Sequence, residues 1–268
     1  MYEAYWALSE PPFDNSPNPK FFYLSPVHEE ALVRLMYAVR QRKGCAMLTG
    51  EYGCGKTTLS RALIQRLEAE RYQISLLTNP SWNAVEFLSE VAYQLGVETD
   101  EKSKTELLHR LNELFFRNYR AGRDTVIIVD EAQLIAADAV FEELRLLMNF
   151  QTDDRFLVTI LLIGSPELTV KVRRLKQLDQ RIAIRYHLNT LDDFHTANYI
   201  VHRLKMAGQA DQIFTENAIK LVFDFTRGTP REINNLCDIA LLVAYSKTVR
   251  EIDEQIIAEV IKDMVAVS

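Results

Sequence analysis

No apolar stretch in the sequence approaches the ~20 residues that a membrane-spanning helix needs. The longest candidates, Val126–Val129 and Leu157–Gly164, are of strand length. Residues Met1 to Trp6 show no basic run leading into an apolar core, so the start does not read as a signal peptide. If the protein works at a membrane, a partner is expected to bring it there. Excess positive charge is missing too: 31 Lys and Arg against 37 Asp and Glu leave a net charge of -6 and a pI near 5.5. Such a surface repels free nucleic acid unless a local basic patch overrides it. Cysteine is scarce, with Cys45, Cys54 and Cys237 forming no C-x-x-C pair, and five scattered histidines add no metal cluster. Reduced thiols in a cytoplasmic protein are the expectation.

What is present is ordinary globular composition, 48% hydrophobic and 25% charged over 268 residues, enough for an α/β domain with a smaller companion. Residues 1–26 are dense in aromatics and prolines, among them Trp6, Pro11, Pro12, Phe13, Phe21 and Pro26. Proline at this density prevents a continuous helix, and the aromatics argue against disorder, so an ordered, extended segment packed on the body is expected. Helical spacing follows over 27–42, then an apolar run at Cys45–Leu48, a glycine-rich turn and a helix over 57–71. Strand-like runs at Ile74–Leu77, Val126–Val129 and Thr159–Ile163 are separated by helical patterns over 84–95, 105–119 and 139–149. This alternation predicts a parallel sheet covered by helices on both faces. After Arg181 the strand signal fades apart from Ile184–Leu188. Helical patterns over 194–207, 216–225, 230–246 and 253–265, the last with Asp253 as N-cap, predict an all-helical second domain. The expected division is 1–26, 27–190 and 191–268.

Gly50-Glu51-Tyr52-Gly53-Cys54-Gly55-Lys56-Thr57 matches the phosphate-loop pattern G-x-x-x-x-G-K-[ST] in full. Glycines let successive N–H groups turn toward phosphate oxygens, and the helix that follows adds its positive end. Lys56 is expected to reach the β- and γ-phosphates and Thr57 to ligate Mg²⁺; Thr58 is counted with the nucleotide-binding residues. Cys54, at a variable position, reads as a small filler. Val126–Val129 ends in Asp130 and Glu131, ~70 residues further on. Asp130 suits a role in holding Mg²⁺, and Glu131 one in orienting and deprotonating the attacking water. Asp-Glu rather than Asp-x-x-Gly, with no N-K-x-D motif, favours ATP over GTP.

These two segments resemble Walker A and Walker B of the AAA+ ATPases, the P-loop NTPase class with a parallel α/β sheet and a small helical lid. The resemblance implies roles for three more residues. Ser165, in Ile163-Gly164-Ser165-Pro166, stands at the position called sensor 1, where Asn, Thr or Gln is usual; a turn cap ahead of Pro166 is the other reading. Arg181 stands where the family has its arginine finger, which reaches a neighbouring subunit's γ-phosphate, and Arg185 is the alternative. Arg231, in Gly228-Thr229-Pro230-Arg231, resembles the sensor 2 arginine at a lid helix start. Asn79 could restrain the catalytic glutamate, or it could open the Asn79-Pro80 turn.

Tyr5-Trp6-x-Leu8, Glu10-Pro11-Pro12-Phe13, Tyr23-Leu24-Ser25-Pro26 and His28-Glu29-Glu30-Ala31-Leu32 resemble the opening of the general secretion pathway protein A family. The segments at 162–168 and 180–188 are also similar to it. The resemblance implies that residues 1–26 line the adenine side of the cleft. It also implies an ATPase that forms a homo-oligomeric ring and acts with an envelope or inner-membrane partner in type II secretion, pilus or exopolysaccharide assembly. Full-length secretion members continue into a transmembrane segment and a peptidoglycan-binding region. Ending at Ser268 without them, the chain is expected to be a short member or an excised ATPase region. The alternative is a DNA-associated ATPase similar to transposition regulators, for which Lys171, Arg173, Arg174 and Lys176 form the best basic run. Residues 192–268 argue against it, with 8 Lys and Arg against 12 Asp and Glu.

Overall fold

The computed structural model describes residues 1–97 and 103–267. Ser268, the last residue of the expected helical domain, lies outside them. Two compact units partition the chain: one holds His28–Tyr52 and Leu59–Leu188, the other Met1–Val27, Gly53–Thr58 and Asn189–Ser268.

The first unit is built on five strands: β1 (Cys45–Gly50), β2 (Tyr72–Leu77), β3 (Asp124–Val129), β4 (Val158–Gly164) and β5 (Ile182–Leu188). All pair in parallel in the order β2-β3-β4-β1-β5. Every apolar run read as a strand is one. Strands β1 and β4 are buried at every residue, as expected for the middle of a sheet covered on both faces. At the edge, β5 is buried only at its two ends and alternates half-buried with exposed positions between them, which is why its signal is weak in the sequence. On one face Cys45, Met47, Ile127, Val129, Ile160 and Leu162 join a single core with helices α3 (Ala84–Gln94), α4 (Lys104–Arg120) and α5 (Asp138–Leu147). The alternate residues Ala46, Leu48, Ile128, Leu161 and Ile163 are fully buried too.

Local chemistry explains the helix starts. Asn83 accepts the N–H groups of Val85 and Glu86 at 3.0 Å while Glu86 returns a bond to the Asn83 N–H, a complete capping box. Helix α1 (Pro26–Arg40) opens on proline, whose fixed φ suits a first turn. Helix α2 (Lys56–Gln65) stops six residues short of the expected end. Beyond the buried Leu67 come the exposed Glu68, Ala69, Glu70 and Arg71, so nothing apolar remains to hold another turn. Two helices lack a clear signal in the sequence: α6 (Glu167–Arg174), which buries only Leu168 and Val172, and the four-residue α7 (Lys176–Asp179).

In the second unit, α8 (Asp193–Met206), α9 (Glu216–Thr226), α10 (Pro230–Ser246) and α11 (Glu254–Val267) pack around one core. Asp192 and Thr215 cap α8 and α9, and Asp253 accepts the N–H groups of Gln255 and Ile256 at 3.1 Å. The N-terminal segment belongs to this core through Tyr2, Trp6, Leu8, Phe13 and Phe21. It is not extended throughout: the Trp6 N–H bonds to Tyr2 O at 3.1 Å, and a 3₁₀ turn covers Pro19–Phe21. Trp6 Nε1 donates to Leu241 O at 3.1 Å, and the buried Arg203 stacks 4.8 Å from the Phe21 ring while donating to Asp14 O at 2.6 Å. The aromatics thus complete the core of helices that lie some two hundred residues further along the chain.

Between α9 and α10, Gly228 has φ +74, and a Cβ there would sit 1.7 Å from Leu191 O. Gly228→Ala therefore combines left-handed strain with a backbone clash that no side chain can relieve. A loss of about 3 kcal/mol or more is expected in urea unfolding.

Candidate active site

Parallel pairing brings the ends of three strands to one edge of the sheet. Thr49 of β1 lies opposite Gly164 of β4, and Val129 of β3 lies opposite Leu162 of β4. Gly50, Asp130 and Ser165 therefore emerge together, at the carboxyl edge where open α/β sheets bind ligands.

From Gly50 the chain turns through Glu51 to Gly55 and enters α2 at Lys56. Gly53 and Gly55 have φ values of +79 and +96, so both predicted glycines occupy backbone that other residues resist. Glu51 and Tyr52 are exposed, Cys54 and Lys56 are buried, and Thr57 and Thr58 on the first helical turn are half-buried. Burial suits Cys54 as a filler. The Gly53 carbonyl accepts the backbone N–H of Arg231 at 3.2 Å, and a Cβ on Gly53 would stand 2.6 Å from Arg231 Cβ. Arg231, on the first turn of α10, thus lies against the loop, with its exposed guanidinium in no hydrogen bond or ion pair among the described residues. The Thr57 hydroxyl and the Asp130 carboxylate are each hard oxygen donors of the kind Mg²⁺ takes.

At the end of β3, Asp130 is 2% exposed, and its Oδ1 accepts the Glu131 N–H at 2.9 Å. Glu131 takes left-handed angles, φ 53 and ψ 35, which costs a non-glycine residue about 1–2 kcal/mol. Such strain collects at functional positions. Glu131 Oε2 accepts from Gln133 Nε2 at 2.5 Å, and Gln133 Oε1 accepts the Ser165 N–H at 3.0 Å. Gln133 was missed in the sequence; its only signal is its place two residues after Glu131. Asn79 is not the partner of Glu131: its Oδ1 accepts from Ser81 Oγ at 3.1 Å in the Asn79-Pro80 turn.

Buried Ser165 donates its hydroxyl to Glu167 on the first turn of α6. Arg185 is held by Asp179, at 2.6 Å to its carbonyl and 2.8 Å to its carboxylate, whereas the Arg181 guanidinium has no such partner among the described residues. Lys171 turns away from the basic run, donating to Gln133 O at 2.6 Å and Ile135 O at 2.9 Å.

All three cysteines are free and buried, and burial pushes the Cys45 thiol up to about 12. Among the described residues no helix is long and apolar enough to cross a membrane.

The family model for the AAA domain matches residues 39–172, half of the chain, from α1 through α6. The chain belongs to the AAA domain family. General secretion pathway protein A of Aeromonas hydrophila is 41% identical over 250 residues, which cover 92% of this chain and 45% of that protein. DNA polymerase III subunit gamma of Buchnera aphidicola subsp. Schizaphis graminum is 23% identical over 196 residues, 73% of this chain and 51% of that protein. The chain spans about half the length of these curated relatives. Among solved structures, the Aeropyrum pernix ORC2 protein in its ADPNP-ADP complexes superimposes with a TM-score of 0.67 at 20% identity, over 95% of this chain and 71% of that one. The Thermotoga maritima RuvB Holliday junction branch migration motor gives 0.60 at 18% identity, over 87% and 68%. These two likenesses establish the AAA-type fold.

With its hydroxyl engaged by Glu167, Ser165 is better suited to start α6 than to contact nucleotide. Ser165→Ala should lower stability by about 1 kcal/mol in urea unfolding. Turnover of ATP should stay within about threefold of wild type in a phosphate-release assay; a hundredfold loss would restore the sensor reading.

Proposed function

We propose that this chain hydrolyses ATP and uses the cycle to drive or regulate assembly of a bacterial envelope machine. The observation that carries the ATP reading is the loop of Gly50–Thr57. Its two left-handed glycines lead directly from a central strand into a helix N-terminus, an arrangement built for phosphate. In this reading the loop N–H groups and Lys56 bind the β- and γ-phosphates, and Thr57 and Asp130 hold Mg²⁺. Magnesium bound there neutralises charge on the phosphate oxygens. Glu131 takes the proton of the attacking water as its oxygen bonds to the γ-phosphorus and the bond to the β–γ bridging oxygen breaks, so that ADP and phosphate leave. Arg231 binds phosphate from the start of α10, and residues 1–26 line the adenine side. Gly53–Thr58, the N-terminal segment and α10 belong to one compact unit, which supports both assignments.

The envelope role rests on the 41% identity that runs through 92% of the chain. The protein would act as a homo-oligomeric ring, brought to the inner membrane by a partner protein. Arg181 is the proposed trans-acting arginine: Arg185 is occupied by Asp179, while Arg181 has its charge to give to a neighbouring subunit.

Glu131→Gln should cut phosphate release by about 10²-fold or more while ATP titration still shows binding. Equal release from both proteins would leave a nucleotide switch in place of an enzyme. Arg181→Ala should leave ATP affinity within about twofold and lower turnover by about 10³-fold. Lost binding at unchanged turnover would remove the finger assignment.

A further inference from the structure

We propose that Gln133 is the positioning residue for Glu131, fixing one carboxylate oxygen and tying it to the end of β4; this rests on the reading of Glu131 as the base. Gln133 lies in the 3₁₀ turn Ala132–Leu134 and is 6% exposed. Its amide spans two strand ends that are far apart in sequence. The Ser165 N–H can only donate, so the amide oxygen must face it, at 3.0 Å; the carboxylate can only accept, so the NH₂ faces Glu131 Oε2, at 2.5 Å. Chemistry thus fixes which way round the amide sits. Lys171 anchors the same turn to α6 through the carbonyls of Gln133 and Ile135.

Gly164 supports this bridge independently. A Cβ there would stand 2.5 Å from Gln133 Oε1 and 3.1 Å from Leu168 Cδ2. Gly164 is absent from the glycines with positive φ, so what it contributes is space for the amide and not backbone freedom. With Oε2 held, Glu131 Oε1 has no hydrogen bond among the described residues and is the oxygen left for water. A carboxylate held at one oxygen presents the other at a fixed place, whereas an untethered one spreads over its rotamers. Small misplacements of a reacting group cost rate far more than they cost binding. Any shift of the β4 end is passed to Glu131 through the same amide.

The test uses the full chain with Gln133→Met, which keeps volume without hydrogen bonds, and Gly164→Ala, which displaces the amide by its flexible end. Phosphate release against ATP concentration and thermal melting are measured for both, with Glu131→Gln alongside. Both variants should lose turnover by about 10-fold to 10²-fold, with KM within about threefold and melting temperature within a few degrees of wild type. Gln133→Glu still accepts from Ser165 but sets a second carboxylate against Glu131, and it should be at least as slow. Turnover of Gln133→Met within twofold of wild type overturns the proposal. So does a fall in activity matched by a collapse in melting temperature for both Gln133→Met and Gly164→Ala, which would mark a structural role. If Glu131→Gln turns over like wild type, the base reading itself fails; if only Gln133→Met does, Gln133 alone loses its role.

Discussion

Parallel registration of β1, β4 and β3 is the constraint on which the site depends. Hydrogen bonding in a parallel ladder sets where each strand ends relative to its neighbour, and here Thr49, Gly164 and Val129 finish at the same edge. The chain must then turn three times within a small space. Each turn is resolved differently: by two left-handed glycines after β1, by a left-handed Glu131 after β3, and by a helix start at Ser165-Pro166 after β4. An edge with three turns in strained or capped backbone is a poor place for packing and a good place for chemistry.

Several polar side chains are engaged in pairs, and the pairing separates residues with a free charge from residues held by the fold. Glu167 occupies the Ser165 hydroxyl, Asp179 occupies Arg185, and two turn carbonyls occupy Lys171. Arg181 and Arg231 keep guanidinium groups without such partners among the described residues. An unpaired arginine on an otherwise acidic protein is suited to phosphate or to a carboxylate of another chain. The same logic weakens a nucleic-acid reading of 171–176, since the ammonium of Lys171 points into the protein.

The helical unit solves a separate problem. Four helices of moderate length enclose a small core, and the aromatic N-terminal segment enlarges it with Trp6, Phe13 and Phe21. Several of its buried polar groups are matched, with the Trp6 indole on Leu241 O and Arg203 on the Pro12 and Asp14 carbonyls.

Local chemistry was legible in the sequence alone. The loop Gly50–Thr57 is contiguous, so its glycines and lysine match the phosphate-loop pattern without knowledge of the fold; strands with both faces buried read as apolar runs; and Asp253 marks the start of the last helix because a cap acts over three residues. The half-exposed β5 and the helix α6 were faint, since each buries too little to impose a period. Tertiary structure decided the rest: the strand order β2-β3-β4-β1-β5, the packing of Trp6, Phe13 and Phe21 among the last four helices, the capture of Arg185 by Asp179, and the Gln133 bridge between Glu131 and Ser165. Those contacts join residues that share no local torsion or period, and only packing and hydrogen-bond geometry could choose them.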